Sequence, residues 1–318
     1  SVPLGVANYY SVVISDIDSD GRPDIIMGGD SSSGFTIFRN TSTSSLSFSI
    51  ISGLPTTGYT TYGIAVGDID GDGKPDIVGC NQQVTTNYLS VFRNTSTGPG
   101  SITFAAVDNF PYSGYYSYGL TLGDINNDGK LDVAIANYNT GNISVFINTA
   151  VSGTLNTNSF GSSILSLTTG TNPQGIAIGD IDGDGLLDLI SSSYSAPVVS
   201  VFKNATTSTL NPRFLDYSNY ATNSPATNNN VGNIVTLADL NGDGMLDILA
   251  TNPGQSLSIF RNVQVVPPIY VTDFSPKQGP ISTTVTITGS GFNSSAASNM
   301  VFFGSTSATV VSASGSSI

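Results

Sequence analysis

The chain has 318 residues, of which 39% are hydrophobic and only 10% are charged, and its formal net charge is −13. This composition is sufficient for a substantial core and excludes a disordered chain, while the acidic balance argues against nucleic acid as a partner. The single cysteine, Cys80, excludes an intrachain disulfide, and no apolar run reaches the roughly 18 residues that indicate membrane insertion.

A nine-residue pattern, DxDxDGxxD with Asn at some middle positions, occurs five times along the chain. The copies begin at Asp16, Asp68, Asp124, Asp180 and Asp239. All 22 acidic residues are aspartates, and 18 of them lie in these copies. Self-similarity at a spacing of 52–59 residues is typical of repeat architectures, so each copy marks one structural unit.

The segments around each copy have the pattern of short β-strands. An alternating run such as 63–67 precedes the loop, an apolar run such as 76–78 follows it, and a third segment ends in Phe-x-Asn. A fourth segment is predicted to be centred on Phe48, Phe104, Phe160 and Phe214 in the first four copies. Four strands per repeat without helical periodicity predict an all-β fold, a β-propeller built of four-stranded blades.

The chemistry of the nine-residue loops predicts Ca²⁺ as a cofactor, about five ions with one per repeat. Positions one, three, five and nine supply side-chain oxygens, position seven supplies a carbonyl, and Gly at position six permits the sharp turn. The predicted side-chain ligands are Asp16, Asp18, Asp20 and Asp24; Asp68, Asp70, Asp72 and Asp76; Asp124, Asn126, Asp128 and Asp132; Asp180, Asp182, Asp184 and Asp188; and Asp239, Asn241, Asp243 and Asp247. The predicted carbonyl ligands are Arg22, Lys74, Lys130, Leu186 and Met245.

Two other interpretations of these loops fit the sequence less well. An EF-hand requires an acid at position twelve, which here holds Met27, Gly79, Ile135, Ser191 and Ala250, and flanking helices are not predicted. A single aspartate-rich turn is usually a solvated turn, but five copies in one frame favour metal binding. Because three or four carboxylates repel each other within one loop, we expect metal binding to be linked to folding.

The composition changes at Pro267-Pro268, which is the predicted domain boundary. Residues 1–266 form the predicted propeller, and residues 267–318 carry alternating Val, Thr and Ile segments separated by glycine turns, as in a small β-sandwich. Both ends of the sequence have the pattern of interrupted units. We therefore expect the chain to be part of a longer multidomain protein.

The stretches GDIDGDGKPD (67–76) and GDIDGDGLLD (179–188) resemble FG-GAP/VCBS-type calcium-binding repeats, as in integrin α-subunit propellers and many bacterial extracellular proteins. Residues 267–318 resemble the N-terminal part of an IPT/TIG immunoglobulin-like domain. The resemblance implies an incomplete seven-bladed propeller, with a closed five-bladed one as the alternative. Together the two resemblances imply a large bacterial cell-surface adhesin, located outside the cell.

Tyrosines are concentrated in the first three repeats, on the face that we expect opposite the loops. Tyr10, Tyr62 and Tyr118 each lie six residues before a first loop aspartate, which predicts a stripe around the axis. The candidate ligand-binding residues are Tyr10, Tyr59, Tyr62, Tyr115 and Tyr118. Their rings could stack on a glycan or anchor a surface protein, or they could simply pack between blades.

These observations predict an extracellular, calcium-stabilised adhesion or ligand-binding module that is not an enzyme. The chain contains no His and no Glu, the commonest general acids and bases. A structural spacer in a surface filament is the alternative interpretation. A calcium-dependent polysaccharide lyase is a third, which no acid pair outside the loops supports.

Overall fold

A computed structural model gives the fold of this chain as all-β, as predicted. It describes residues 8–29, 34–51, 60–82, 87–114, 116–160, 165–169, 172–209, 212–215, 217–222, 234–252, 256–263, 270–280, 282–292, 296, 299, 301–304 and 306–318. These ranges contain no α-helix, and therefore no helix of the length and apolarity needed to cross a membrane. Internal contacts divide the chain into two compact units, Ser1–Asn262 and Val263–Ile318.

The first unit is a propeller arrangement of five blades. Blade 1 is an antiparallel sheet in the order of the chain, composed of β1 (Tyr9–Ser15), β2 (Asp24–Gly29), β3 (Phe35–Asn40) and β4 (Phe48–Ile51). The aspartate loop connects β1 to β2, and Ser15 pairs with Asp24 across its base. Val, Ile and Phe alternate with small polar residues in these strands. Because successive side chains of a strand point to opposite faces of its sheet, the blade can pack against a neighbouring layer.

The other blades repeat the same order. Blade 2 contains β5 (Thr60–Gly67), β6 (Asp76–Gln82), β7 (Asn87–Phe92) and β8 (Asp108–Tyr112); blade 3 contains β9 (Ser117–Gly123), β10 (Asp132–Asn137), β11 (Asn142–Phe146) and β12 (Leu165–Thr168). Blade 4 contains β13 (Pro173–Gly179), β14 (Asp188–Ser193), β15 (Val198–Phe202) and β16 (Ser218–Ala221); blade 5 contains β17 (Val235–Ala238), β18 (Asp247–Asn252) and β19 (Ser256–Phe260).

The fourth strand lies later than predicted in blades 2, 3 and 4. Only Phe48 begins a fourth strand, whereas Phe104, Phe160 and Phe214 each form an isolated bridge to the asparagine of Phe-x-Asn. The three rings pack into the core between blades, and the strand resumes four or five residues further on. In these three blades the regular strand pairing therefore begins after the phenylalanine on which the sequence pattern centres it.

The hydrophobic core is divided into four clusters, and each lies between two successive blades. Between blades 1 and 2, for example, Ile17, Ile26 and Ile37 pack against Ile64 and Ile77. The first strands also approach one another closely. A Cβ atom added to Gly119 would lie 2.5 Å from the carbonyl oxygen of Gln174 in the next blade. Packing between repeats, rather than within one repeat, therefore forms the core.

The outer faces of the first and last blades remain exposed among the described residues. Val12 is 60% exposed. Ile64 lies, like Val12, four residues before the first loop aspartate of its blade, but it packs against blade 1 and is only 5% exposed. In blade 5, Leu257 and Ile259 occupy the positions of the buried residues Phe35 and Ile37 and are themselves more than half exposed. Extension to seven blades stays a prediction.

Within its described residues, the second unit contains four short strands in two antiparallel pairs. β20 (Tyr270–Ser275) pairs with β21 (Thr286–Ser290), and β22 (Val301–Phe303) pairs with β23 (Thr306–Ala308). Phe292, which follows the second of the predicted strands, is buried. The alternating segments read from the sequence thus form strands, as expected for an immunoglobulin-like region.

Candidate functional site

The first aspartate of each loop closes the loop onto its own backbone. Asp68 accepts the N–H of Asp72 at Oδ1 (3.0 Å) and the N–H of Gly73 at Oδ2 (2.8 Å). The same two bonds occur at Asp16, Asp124, Asp180 and Asp239. Gly73 has a φ of 87°, a backbone conformation that would be strained for a residue with a side chain. The five copies therefore share one backbone geometry.

The ninth aspartate holds three segments of its blade together. Asp76 accepts the N–H of Ile69, the second loop residue, at 2.9 Å, and the N–H of Asn94, at the end of β7, at 2.7 Å. Equivalent pairs of bonds occur at Asp24, Asp132, Asp188 and Asp247. The sequence predicted this residue as a metal ligand only, and the structure gives it a second role within the blade.

Burial has a strong effect on the ninth carboxylates. It raises the pKa of Asp76 to about 7 and that of Asp132 to about 7, against the lowering effect of the two backbone N–H groups that each one binds. A buried carboxylate with this pKa is poorly compensated when no cation is near it. These residues are therefore electrostatically suited to receive one.

The positions of the carboxylates fit a hard cation. Oxygen atoms of the first, third and ninth residues lie within 4.8 Å of one another in three loops, formed by Asp16, Asp18 and Asp24; Asp68, Asp70 and Asp76; and Asp180, Asp182 and Asp188. In addition, Oδ1 of Asp18 and Oδ2 of Asp70 are buried without a hydrogen-bond donor. Oxygen-only donors with unsatisfied buried carboxylate atoms fit Ca²⁺.

The remaining predicted ligands are placed differently. The fifth-position aspartates lie outside these three groups, and each binds the N–H of the seventh residue, whose carbonyl is the predicted ligand. The pairs are Asp20 with Arg22, Asp72 with Lys74, Asp128 with Lys130, Asp184 with Leu186, and Asp243 with Met245. In the third and fifth loops Asn126 and Asn241 replace an acid, but the hydrogen bonds of the loop are kept. Coordination by the carbonyls stays a prediction.

Four loops are also approached by a cation of the protein itself. The middle residue of Phe-x-Asn is Arg39 in blade 1, and it binds Asp18 (2.6 Å) and Asp20 (2.9 Å) through its guanidinium. Although burial acts to raise the pKa of Asp18, hydrogen bonds from Arg39 and Gly100 hold that pKa below its usual value.

The equivalent side chains in the other blades make weaker or different contacts. Arg93 lies 3.9 Å from Asp70, Lys203 pairs with Asp182 and Asp184, and Arg261 lies 4.0 Å from Asp243. Blade 3 has the buried Ile147 at this position. The five loops therefore differ in how much of their charge the protein balances.

The predicted tyrosine stripe is present at the strand ends remote from the loops. The ring centroids of Tyr10 and Tyr62 are 4.8 Å apart, and those of Tyr62 and Tyr118 are 5.0 Å apart. In the first strands of blades 1 to 3 the pairing register skips this tyrosine, which is the extra residue of a β-bulge, and in blade 4 it skips Gln174 at the same position. A bulge redirects a side chain out of the regular alternation, and bulges are frequent beside functional sites.

Two tyrosines that the sequence analysis did not select extend the stripe. Tyr138 lies 5.7 Å from Tyr118, and Tyr194 lies 5.4 Å from Tyr138, measured between ring centroids. Both follow a second strand and lie 14 residues after the first loop aspartate of their blades, a shared offset that could have identified them. We call Tyr10, Tyr62, Tyr118, Tyr138 and Tyr194 the tyrosine ladder.

Burial and the neighbouring tyrosines together raise the pKa of Tyr118, the third member of the ladder. Tyr118 is surrounded by Tyr62, Tyr116, Tyr138 and Tyr194, and burial followed by these neighbours raises its pKa to about 12. Its hydroxyl therefore stays protonated at physiological pH. Of the other predicted ligand-binding residues, Tyr59 and Tyr115 lie outside the described residues.

Comparison with known families identifies the repeats. The FG-GAP-like repeat family matches residues 16–79 and 124–191, and the FG-GAP repeat family matches residues 60–101 and 231–264. The IPT/TIG domain family matches residues 268–318. No curated protein matches the sequence.

Several solved structures show a weak likeness. A lectin of Agrocybe aegerita, described as recognising non-reducing terminal N-acetylglucosamine, has 20% identity and a TM-score of 0.47 over 79% of this chain and 66% of its own. A functionally unknown protein from Desulfotomaculum acetoxidans has 12% identity and a TM-score of 0.45, over 82% of this chain and 71% of its own. The V. cholerae biofilm matrix protein Bap1 has 16% identity and a TM-score of 0.38, over 78% of this chain and 36% of its own.

These structural likenesses are too low to extend the ligand or assembly of any of these proteins to this chain. The family matches are independent of them, and the FG-GAP matches together cover more than half of the sequence. They fall on the five aspartate loops and on the strands around them. The chain therefore consists of FG-GAP repeats, which form the propeller, followed by an IPT/TIG domain.

Proposed function

We propose that this chain is an extracellular recognition module of a bacterial surface protein, which calcium stabilises and which binds a glycan or a surface protein. Recognition, rather than catalysis, is assigned to the propeller face that carries the tyrosine ladder. Calcium is assigned to the five loops at the opposite ends of the same strands. The observation that carries the proposal is the ladder itself.

The ladder has features that favour binding over packing alone. Its first three members are bulge residues. The same bulge holds Gln174 in blade 4, so the bulge belongs to the repeat, and blades 1 to 3 place a tyrosine at this redirected position. Tyr10 is 48% exposed. Tyrosine combines an apolar ring with a hydroxyl, and such side chains stack on sugar rings and dominate protein interfaces. A row of five rings offers both kinds of contact.

Calcium in the loops is supported by the donor set and by the unsatisfied oxygens of Asp18 and Asp70. When bound, the ion would neutralise carboxylates that repel one another and would tie the start of the loop to the second strand. Asp68, Asp70 and Asp76 would hold it in blade 2, and the corresponding residues in the other blades. Its role in this proposal is to stabilise the blades.

A glycan array, combined with binding to purified surface proteins, tests the proposal. Tyr62→Ala and Tyr118→Ala are compared with Tyr220→Ala, which removes an exposed tyrosine from an outer strand away from the ladder. We expect the two ladder variants to reduce binding at least tenfold and Tyr220→Ala to leave it unchanged. The proposal is contradicted if all three variants bind like the wild type.

A structural spacer is the second candidate, and the contacts between the rings favour it. Each ladder tyrosine touches the next, so the rings also pack neighbouring blades together. A spacer would bind no glycan or surface protein, with or without calcium. The ladder variants would lose thermal stability in either case, so the absence of binding by the wild type is what distinguishes a spacer from a recognition module.

A further inference from the structure

In blades 2 to 5, the asparagine of the Phe-x-Asn segment contacts two loops at once. The backbone N–H of Asn148 donates to Asp132 in its own blade (2.8 Å), and its side-chain Nδ2 donates to the carbonyl of Ile69 in the preceding blade (2.7 Å). The N–H of Ile69 donates in turn to Asp76 (2.9 Å). An unbroken series of hydrogen bonds therefore joins the ninth carboxylates of neighbouring loops.

The same connection occurs at every described junction between blades. The distance from the asparagine Nδ2 to the carbonyl of the preceding loop is 2.8 Å from Asn94 to Ile17, 2.8 Å from Asn204 to Ile125 and 2.6 Å from Asn262 to Ile181. Asn94, Asn148 and Asn204 are at most 1% exposed. Water therefore does not compete for these bonds, which strengthens them.

We propose that this asparagine is a positioning residue that couples adjacent cation sites, so that Ca²⁺ in one loop raises the affinity of the neighbouring loop. The inference rests on the assignment of calcium to the loops under Proposed function. It adds that the five sites respond to calcium together rather than independently.

The position of Ile69 explains how one loop influences the next. Ile69 lies between Asp68 and Asp70, so the orientation of its peptide groups determines where these two carboxylates point. Asn148 fixes its carbonyl, and Asn148 is itself fixed by Asp132 of the following loop. A cation that orders Asp132 therefore also orders the two ligands of the preceding loop.

The sign of the coupling follows from the charge of the loops. Without a cation, the crowded carboxylates repel each other and oppose the ordered loop. Each cation must offset this repulsion and order its own loop, and ordering through Asn148 leaves less of the neighbouring loop to be ordered when the next cation binds. Binding to a protein that is already ordered is tighter, so the coupling is positive.

Asn40 provides a matched control within the same chain. It makes the equivalent bonds in its own blade, from its N–H to Asp24 (2.7 Å) and from its Nδ2 to the carbonyl of Pro23 (3.0 Å). Blade 1 is the first described blade, so Asn40 has no preceding described loop to contact. Asn40→Ala thus removes the side-chain bond within a blade and keeps the backbone N–H bond to Asp24, whereas Asn148→Ala also removes the side-chain bond between blades.

The experiment titrates the full chain with calcium. Binding is measured by isothermal titration calorimetry, and the melting temperature is measured at each calcium concentration. We expect a Hill coefficient above 1 for the wild type and for Asn40→Ala. Asn148→Ala should lower the coefficient toward 1 and weaken binding in the adjacent loop about fivefold or more. If Asn148→Ala folds poorly, Asn262→Ala is the second variant, because Asn262 is only partly buried.

The outcomes separate this inference from the one on which it rests. No calcium binding by the wild type overturns the calcium assignment and the coupling with it. Calcium binding with a Hill coefficient of 1, or an equal loss of cooperativity in Asn40→Ala and Asn148→Ala, overturns the coupling alone. A selective loss in Asn148→Ala supports it.

Discussion

Replacing Asp76 with alanine separates the two roles of the ninth loop carboxylate. Asp76 is fully buried, and its oxygens accept the N–H groups of Ile69 and Asn94. A buried donor left unsatisfied costs about 1–3 kcal/mol, so the loss of both acceptors costs about 2–6 kcal/mol. Burial raises the pKa of Asp76 to about 7, which shows that burying this carboxylate is itself unfavourable, and the alanine variant no longer has that unfavourable contribution. The expected cost therefore lies in the lower half of that range.

Asp72→Ala is the matched control in the same loop. Asp72 is exposed, and its Oδ1 accepts the exposed N–H of Lys74, so its removal disturbs the metal-free fold little. Unfolding is followed by circular dichroism in chelator and in excess calcium. We expect Asp76→Ala to lower the free energy of unfolding in both conditions, and Asp72→Ala to lower it only in calcium.

The size of the effect in chelator decides the interpretation. A domain of this size changes its melting temperature by about 2–4 °C per kcal/mol, so Asp76→Ala should melt roughly 4–16 °C below the wild type without calcium. If the two proteins melt at the same temperature in chelator and differ only in calcium, the ninth aspartate acts solely as a ligand. The argument for its role within the blade would then be refuted.

Three further predictions follow from the same contacts. Burial raises the pKa of Asp76 and Asp132 to about 7, compared with about 3.9 in the unfolded chain, so the folded metal-free protein binds more protons than the unfolded chain between these pH values. Its stability to denaturant should therefore fall as pH rises from 4 to 7. A stability that does not change with pH would contradict the effect of burial. Arg39→Ala should lower metal-free stability by about 1–3 kcal/mol but tighten calcium binding to the first loop, measured by calorimetry, because the guanidinium no longer competes for Asp18; unchanged affinity would exclude this competition. Gly119→Ala should lower the melting temperature through a cost of about 1–3 kcal/mol, since the new methyl group meets a backbone carbonyl of the next blade, and an unchanged melting temperature would show that the blades can separate to accept it.

The sequence was sufficient to predict much of what lies within one repeat. The frame of the loops, the strands on either side of Asp68–Asp76 and the all-β propeller depend on short-range patterns, and all of them were predicted. The fourth strand was misplaced in three blades because Phe104 and its counterparts have the pattern of a strand centre, whereas each forms an isolated bridge and the strand starts four or five residues later.

What the sequence could not show lies between repeats. Ile69 and Asn148 are 79 residues apart, and nothing in either segment names the other as its partner. The role of Asn148 was therefore not predicted, although the Phe-x-Asn pattern was recognised. Tyr138 and Tyr194 were missed for the same reason, because they join the ladder from a second strand, whereas Tyr10, Tyr62 and Tyr118 come from first strands.

The separation of the loops from the ladder limits how calcium can act on a ligand. In blades 1 to 3 the first strand carries the bulged tyrosine near one end and leads into the loop at the other, six residues away. At about 3.3 Å per residue this distance is roughly 20 Å, too far for an ion in the loop to contact a ligand on the ladder. Any dependence of ligand binding on calcium must therefore pass through the ordering of the blades, which is the property that the bonds of Asp76 and Asn148 control.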